Sequence, residues 1–369
     1  MILQRSILQR YILRELLLTF IAALASLTAV IFVGMALVQL QALQYFPASA
    51  IKEIAPYFLP LTLSFALPVG VLIACALVFG RLAADNEIDA IRVAGVPLRR
   101  VLAPPLLIGI VASAATLYLN EELIPRSHFE RRKITQRGIQ QALYGLSREA
   151  ASISIPEAGI ALAWRSRRGD VFADFQVRRL DTKTGHVRSE TRAAEGRLYR
   201  DPNGTDLWLD LVDGTFVEYV DPSRRDAINP GTFREYREVI DLSKLTGEIT
   251  TREKDMTSKE LERGIAAGGA NRYTVQRLQA ELFWRRALGL APLIFALFGT
   301  PLGILVRRGS RIAGLGWSVL PVFVVYYPLM TAAQALAARQ KIDASLALWI
   351  PDVVMLLGAM VLLRIVLRK

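Results

Sequence analysis

Apolar and polar positions in this chain alternate on a coarse scale: long uncharged stretches are separated by short arginine-rich segments and by one long mixed middle. Residues 16–40 carry no charge, and about 20 apolar residues suffice for a helix to cross the hydrocarbon core. The run is too long for a cleaved signal peptide and predicts a retained first span. Ahead of it, residues 1–14 place Leu3, Ile7, Leu8, Tyr11 and Ile12 on one side, with Arg5, Arg10 and Arg14 towards headgroups. That pattern fits an interfacial helix leading into the span. Further apolar runs at 54–80, 101–119, 287–306, 312–336 and 346–363 predict five more spans. Pro56, Pro60 and Pro68 mark the second as bent and packed within a bundle, where neighbours satisfy the freed carbonyls. Trp349 is placed as an interfacial anchor of the sixth. Asp352, in that helix's first turn, is expected to face the interface and the positive end of the helix dipole.

The segment 81–100, RLAADNEIDAIRVAGVPLRR, lies between the second and third runs. Asp85 or Asn86 supplies an N-cap, Gly95 a left-handed end and Pro97 a stop, so a short helix over 84–95 is expected. Ala84, Ile88 and Ile91 share one face, and Asp85, Asp89 and Arg92 the other. Such a helix is either a handle for a soluble motor or a solvated loop helix, and the segment alone does not separate these.

The middle, 123–281, changes character. A basic helical stretch at 126–143 gives way to short alternating segments at 160–164, 171–177, 206–212 and 215–220, bounded by the turn signals DTKTGH, DPNGT and VDG. Several short strands at this spacing predict an inserted all-β sandwich or jelly-roll-like domain. Thr257 with Glu260 reads as a capping box, and Gly268-Gly269 loosens the return to the membrane. The expected organisation is therefore an interfacial helix and three spans over 1–122, a β domain with flanking helices over 123–281, and three spans over 282–369.

Charge sets the orientation. One set of short loops carries Arg5, Arg10 and Arg14, then Arg81, Arg92, Arg99 and Arg100, then Arg307, Arg308 and Arg311, then Arg364, Arg368 and Lys369; the other carries Lys52, Arg339 and Lys341. The positive-inside rule puts both termini and the short helix in the cytoplasm and the β domain on the opposite side of the membrane. Composition agrees: 369 residues, 53% hydrophobic and 21% charged, with a mean hydropathy of +0.33, describe spans plus a polar domain. The net charge of +12 is spread over span flanks and the middle without a recognition motif, so no nucleic-acid partner is expected. The lone Cys75 excludes a disulfide framework. There is no GxxxxGK[ST], HExxH or GxSxG, and His128 and His186 lie in basic or turn-like surroundings; no catalytic residue, metal or cofactor is expected.

This layout resembles the LptF/LptG type, the permease subunits of the lipopolysaccharide exporter, over nearly the whole chain. The resemblance is carried in order by DNEIDAIRVAGVPLRR, AAEGRLYRDPNGTDLWLDLVDGTFVEY, ELFWRRALGLAPLIFALFGTPLGILVRRGSR and ALWIPD. It implies that the short helix docks on a separate ATP-binding cassette subunit and transmits its motion through Glu87, Ile88, Asp89, Arg92 and Gly95. It implies a dimer of such ATPases, a second homologous permease chain and a periplasmic bridge protein of related β fold as partners. It also implies a lipid path: Val38, Gln39, Gln41, Phe323, Tyr326 and Tyr327 near a cavity between the first and fifth spans, and Phe172, Phe175, Trp208, Leu209, Phe216, Val217 and Tyr219 in the β domain. Strand side chains alternate, so half of the latter set must be ordinary core.

One stretch departs from the pattern. Some members carry basic residues at the outer end of the first span, where this chain reads GMALVQLQALQYF. Either this is the partner subunit with the less basic helix, or the lipid's headgroup differs. The expectation is an inner-membrane lipid-export permease subunit, not an enzyme. The competing classes are a membrane-anchored periplasmic scaffold, an enzyme with a scattered site, and a mechanical transmission subunit without a lipid cavity.

Overall fold

The computed structural model describes residues 2–42, 53–144, 152–155, 159–169, 171–181, 186–200, 206–221, 226–241, 252–268, 272–306, 316, 319–338 and 342–368. The chain divides into two compact units, Met1–Leu37 with Pro56–Glu130 and Thr251–Lys369, and Val38–Ala55 with Arg131–Thr250.

Six helical segments are long and apolar enough to cross a membrane: Ile7–Val38, Ala55–Ala84, Ala103–Ile134, Val275–Leu305, Val319–Ala337 and Ala344–Arg368. The first belongs to α1 (Ile2–Ala42), an unbroken helix that includes the expected interfacial segment. A 3₁₀ turn at Ala55–Phe58 opens α2 (Leu59–Ala84), which carries Pro68 internally. After α3 (Glu87–Val93) and α4 (Leu98–Val101), α5 (Ala103–Tyr118) passes through a π turn at Leu119–Leu123 into α6 (Ile124–Tyr144). The third apolar run ends at Leu119, yet the helix does not. Asn120 inside the π turn is buried and accepts from the Ser64 hydroxyl of α2 at 2.7 Å, so a polar pair holds the junction.

The fourth span, within α8 (Arg272–Leu305), lies at the centre and packs on α2, α5 and α11 (Ile350–Arg368). Its contact with α2 rests on a GxxxG pair. A Cβ at Gly303 would lie 2.5 Å from the Ala76 carbonyl oxygen, and one at Gly299 would lie 2.9 Å from that of Leu72. Only hydrogen fits there, and close backbone approach is what draws helices together where no hydrophobic force separates lipid from leucine. The fifth span runs through a π turn (Val322–Tyr326) into α9 (Tyr327–Ala338), and α10 (Ala344–Ala347) precedes α11. Arg307, Arg308 and Arg311, expected to close the turn after the fourth span, lie outside the described residues.

Asp352 differs from expectation. It does sit in the first turn of α11, but it is 3% exposed, and neither carboxyl oxygen has a hydrogen-bond partner. Tyr326, fully buried, lies beside it with its hydroxyl likewise unpaired, its ring packed edge-on against Phe295 at 4.9 Å. The bundle closes over this turn instead of leaving it at an interface.

The other unit contains an inserted antiparallel β domain. Its strands are β1 (Ser152–Ile155), β2 (Ile160–Ala163), β3 (Ser166–Arg168), β4 (Val171–Leu180), β5 (Val187–Arg200), β6 (Asp206–Asp221) and β7 (Asp226–Asp241). They form one sheet in the order β1-β2-β4-β5-β6-β7, with β3 pairing to β4. Among the described residues this order is an antiparallel meander. The VDG sequence at 212–214 does not turn; it is a kink within β6, where Asp213 takes φ +50°. Directly across β5, Asp174 of β4 takes φ +53°. Phe172 and then Phe175 are buried in β4, and Ala193 and then Gly196 in β5, a step of three where flat strands step by two. Aligned bulges therefore crease the sheet across several strands.

Candidate functional site

The short helix α3 forms where the sequence places it, with a different cap. Asn86 precedes it at φ 58°, so its own backbone makes the bend and its side chain caps nothing. Gly95 follows at φ +73°, a conformation that costs a residue with a Cβ and favours glycine. Between these bends the helix has two turns.

Its faces divide sharply. Ile88 is 2% exposed and belongs to a core with Ile12 and Leu16 of α1, Val78, Phe79 and Leu82 of α2, Val101 of α4 and Val366 of α11. Ile91 is packed against the same core, whereas Ala84, expected on this face, is exposed. Ala90, Val93, Ala94 and Gly95 are exposed, and Val93 presents 90% of its surface. An isoleucine thus fastens the helix inward while a valine and small residues form a bare outer patch.

Polar contacts fix the helix further. The Tyr11 hydroxyl donates to Glu87 Oε1 at 3.4 Å, and Arg81 pairs with Glu15 at 3.0 Å, joining α1 to the end of α2 and to α3. Arg92 donates to the Val366 carbonyl at 2.7 Å. Glu87 and Asp89 are half-buried. The structure therefore brings Glu87, Ile88, Asp89 and Arg92 together on one two-turn helix, with distinct orientations, and Gly95 lies just past its end.

The expected lipid-path residues separate. Phe323 is 58% exposed, and Leu320 and Val324 near it are exposed too; Val38 is exposed on α1. Tyr326 is core, and Tyr327 is half-buried between Phe65 at 6.2 Å and Phe323 at 5.8 Å. Gln39 and Gln41 fall in the last turn of α1, and their side chains lie outside the described residues. In the β domain, Phe172 and Phe175 are buried with Trp164 in a three-ring cluster at 5.2–6.1 Å, and Leu209 is fully buried. These three are packed core. Trp208, Phe216, Val217 and Tyr219 remain half-buried. Trp208 lies against Tyr199, with the Arg237 guanidinium 5.1 Å from its ring. Arg237 donates to Asp210 at 2.6 and 3.0 Å, and this hydrogen bonding holds the Asp210 carboxyl below its usual range.

Sequence reasoning missed a second fastening, where the chain returns to the membrane. Arg285 of α8 is 2% exposed and donates to Glu281 at 3.0 Å, to the Met256 carbonyl at 2.6 Å and to that of Glu253 at 3.2 Å. Arg277 pairs with Glu253 at 3.0 Å, and Arg286 with Glu262. The Thr257–Glu260 capping box forms as expected at the start of α7 (Ser258–Ala266), and the Thr257 N–H holds the Glu260 carboxyl low. The signal for Arg285 was available: an arginine in the ELFWRRALGL stretch must find partners or stay wet.

Among the described residues no cluster of three or more His, Cys, Asp or Glu is placed to hold a metal. No curated protein matches the chain. A family model, described as lipopolysaccharide export system permease LptF/LptG, matches residues 10–365, which is nearly the whole chain and spans every element above. Six apolar helices and this match fit a multi-pass inner-membrane transporter subunit rather than an enzyme. The chain belongs to the LptF/LptG family of lipopolysaccharide export permeases.

Proposed function

We propose that the chain is the permease subunit of an ATP-driven exporter that extracts lipopolysaccharide, or a related lipid, from the outer leaflet of the inner membrane and passes it to the β domain. Both termini and α3 face the cytoplasm in this reading, and the β domain is periplasmic, a topology that the arginine asymmetry of the short loops supports. Withdrawing acyl chains from a bilayer costs about 0.8 kcal/mol per CH₂. Thermal energy does not supply that for several chains, and the sequence contains no phosphate-binding loop. A dimer of cassette ATPases provides the work, a second homologous permease chain completes the membrane unit, and a periplasmic bridge protein of related β fold receives the lipid.

The observation that carries this reading is the two-faced coupling helix. Its inner face is sealed into the ends of the spans, so a push on it moves them; its outer patch around Val93 is bare among the described residues and suits an apolar groove. The lipid enters between the first and fifth spans, and the exposed Phe323 and Val324 support that route.

The test is co-purification from the native membrane in mild detergent. Val93→Asp and Glu87→Ala alter the outer patch and its rim. Ile88→Asp is unsuitable because it places a charge in the packed core. A cassette ATPase should accompany the wild type and be lost, by tenfold or more, with Val93→Asp. Recovery of no ATPase with the wild type, or equal recovery with Val93→Asp, refutes the coupling role.

A further inference from the structure

Arg92 does not point at the outer patch. Its guanidinium reaches 274 residues along the chain to the Val366 carbonyl, in the last turn of α11, at 2.7 Å. The last four carbonyls of a helix have no partner within it and carry the negative end of the helix dipole. A cation placed there satisfies an orphan acceptor and is held by charge as well as by the hydrogen bond. Val366 is itself buried, 1% exposed, in the same core as Ile88, so the contact is shielded on one side. A small cavity of about 150 Å³ lies beneath it, lined by Ala83, Ile88, Asp89, Ile304, Leu305 and Val366 together with Arg92. The coupling helix thus sits over the ends of the second, fourth and sixth spans, and through Glu87 and Tyr11 it also touches the first. The chain path alone joins it to the second and third.

We propose that Arg92 is a positioning residue that clamps the coupling helix to the end of the sixth span. A displacement of α3 then reaches the sixth span directly, in step with the second. The clamp rests on the proposed docking of an ATPase on α3, and it changes what that docking drives. Because the fifth span packs on the sixth through Tyr326 and Met355, the clamp also gives the motor a route to the fifth span that bypasses the periplasmic loops.

The experiment uses the full chain with its co-purified ATPase in nanodiscs doped with lipopolysaccharide, comparing wild type, Arg92→Met and Arg92→Lys. Methionine keeps the apolar stem and removes the charge and donors; lysine keeps the charge and one donor. Three readouts are taken: ATPase retained on the complex, ATP hydrolysed per lipid released, and the spin-label distance between Ala84 and Leu367, both exposed, in a Cys75→Ala background with and without trapped nucleotide.

Arg92→Met should retain the ATPase but use about tenfold more ATP per lipid, the lower end of what losing one charge-assisted hydrogen bond amounts to. Arg92→Lys should recover most of that loss. In the wild type the Ala84–Leu367 distance should hold constant between nucleotide states, and in Arg92→Met it should change. Unaltered coupling in Arg92→Met, or a wild-type distance that already changes with nucleotide, overturns the clamp while leaving docking intact. Loss of the ATPase together with melting stability in Arg92→Met assigns Arg92 a merely structural role and also overturns it. Absence of the ATPase from the wild type overturns the docking reading itself.

Discussion

Replacing Arg285 by leucine removes one side chain that holds the connector to the fourth span. The guanidinium is 2% exposed and serves Glu281, whose side chain is 11% exposed, and the carbonyls of Met256, Glu253 and, at 3.4 Å, Lys254. Leucine fits the stem's space but leaves the carboxylate shielded and unpaired, and breaking a buried pair in this way costs about 3–5 kcal/mol. At about 2 °C per kcal/mol for a chain of this size, the melting midpoint should fall by roughly 6–10 °C. The loss should be local before it is global. Amides at 253–266 should exchange with solvent faster in Arg285→Leu, while α2 and the core of α8 keep their protection. The double variant Arg285→Leu/Glu281→Leu removes the orphan charge and leaves orphan carbonyls, so it should recover about half of the loss. The assay is thermal unfolding in detergent followed by intrinsic fluorescence, with hydrogen exchange as the local readout. A midpoint for Arg285→Leu within 2 °C of the wild type, with unchanged exchange at 253–266, would refute the view that this arginine holds the connector.

Gly303→Val should separate the second and fourth spans, because its Cβ alone would fall 2.5 Å from the Ala76 carbonyl oxygen and 3.0 Å from Gly80 N. Backbone cannot yield as a side chain can, so a loss of about 3 kcal/mol or more is expected in the same unfolding assay, against under 1 kcal/mol for Gly34→Ala, where the position is open. Acid should weaken the β domain through Asp210. Its carboxyl is held low by the Arg237 hydrogen bonds, so its stabilising contribution is complete above the ordinary carboxylate value and is lost as pH falls through the depressed one. Exchange protection in β6 should therefore differ between wild type and Asp210→Asn at neutral pH and converge below about pH 4; a difference that persists at low pH counts against the pairing.

What the sequence reveals depends on how local the determining physics is. A span is a local property, because length and lack of charge decide it, and all six were legible as apolar runs. The end of α3 was legible as well, since Gly95 carries a conformation few other residues accept, whereas Asn86, read as a side-chain cap, makes its bend with the backbone. Strands β5 and β7 were not. VRSETRAAEGRLYR has no two-residue alternation, because the crease inserts a residue and flips the phase midway. DAINPGTFREYREVID carries an NPG turn signal inside a continuous strand. The VDG of β6 failed for the same reason, since the sheet around it absorbs a turn sequence as a bulge. Likewise, the inward aim of Ile88 and Arg92 is set by α1 and α11, whose partnership with a seven-residue helix no local pattern announces.

The division of labour among the spans follows from which faces are sealed. The second and fourth spans are buried along most of their length, and glycines bring their backbones into contact, so they form a rigid pair. The first and fifth leave most of their surface open. In the proposed export reading, a lateral opening forms with least cost where few contacts must break, and the open faces of the first and fifth spans suit that role. The polar ties agree with that assignment. Tyr11 and Glu15 tie down the N-terminal end of the first span, and beyond Leu16 no described residue of that span is buried. Past that end Phe20, Leu24 and Leu27 pack on neighbouring spans, each partly exposed, so the first span is held most firmly where it meets α3. Asp352 and Tyr326, both buried at the junction of the fifth and sixth spans, place polar groups inside an otherwise apolar bundle, and burying them there costs stability. In the proposed reading, a stroke delivered to the sixth span through Arg92 enters at one end of the helix that carries this buried polar contact at the other.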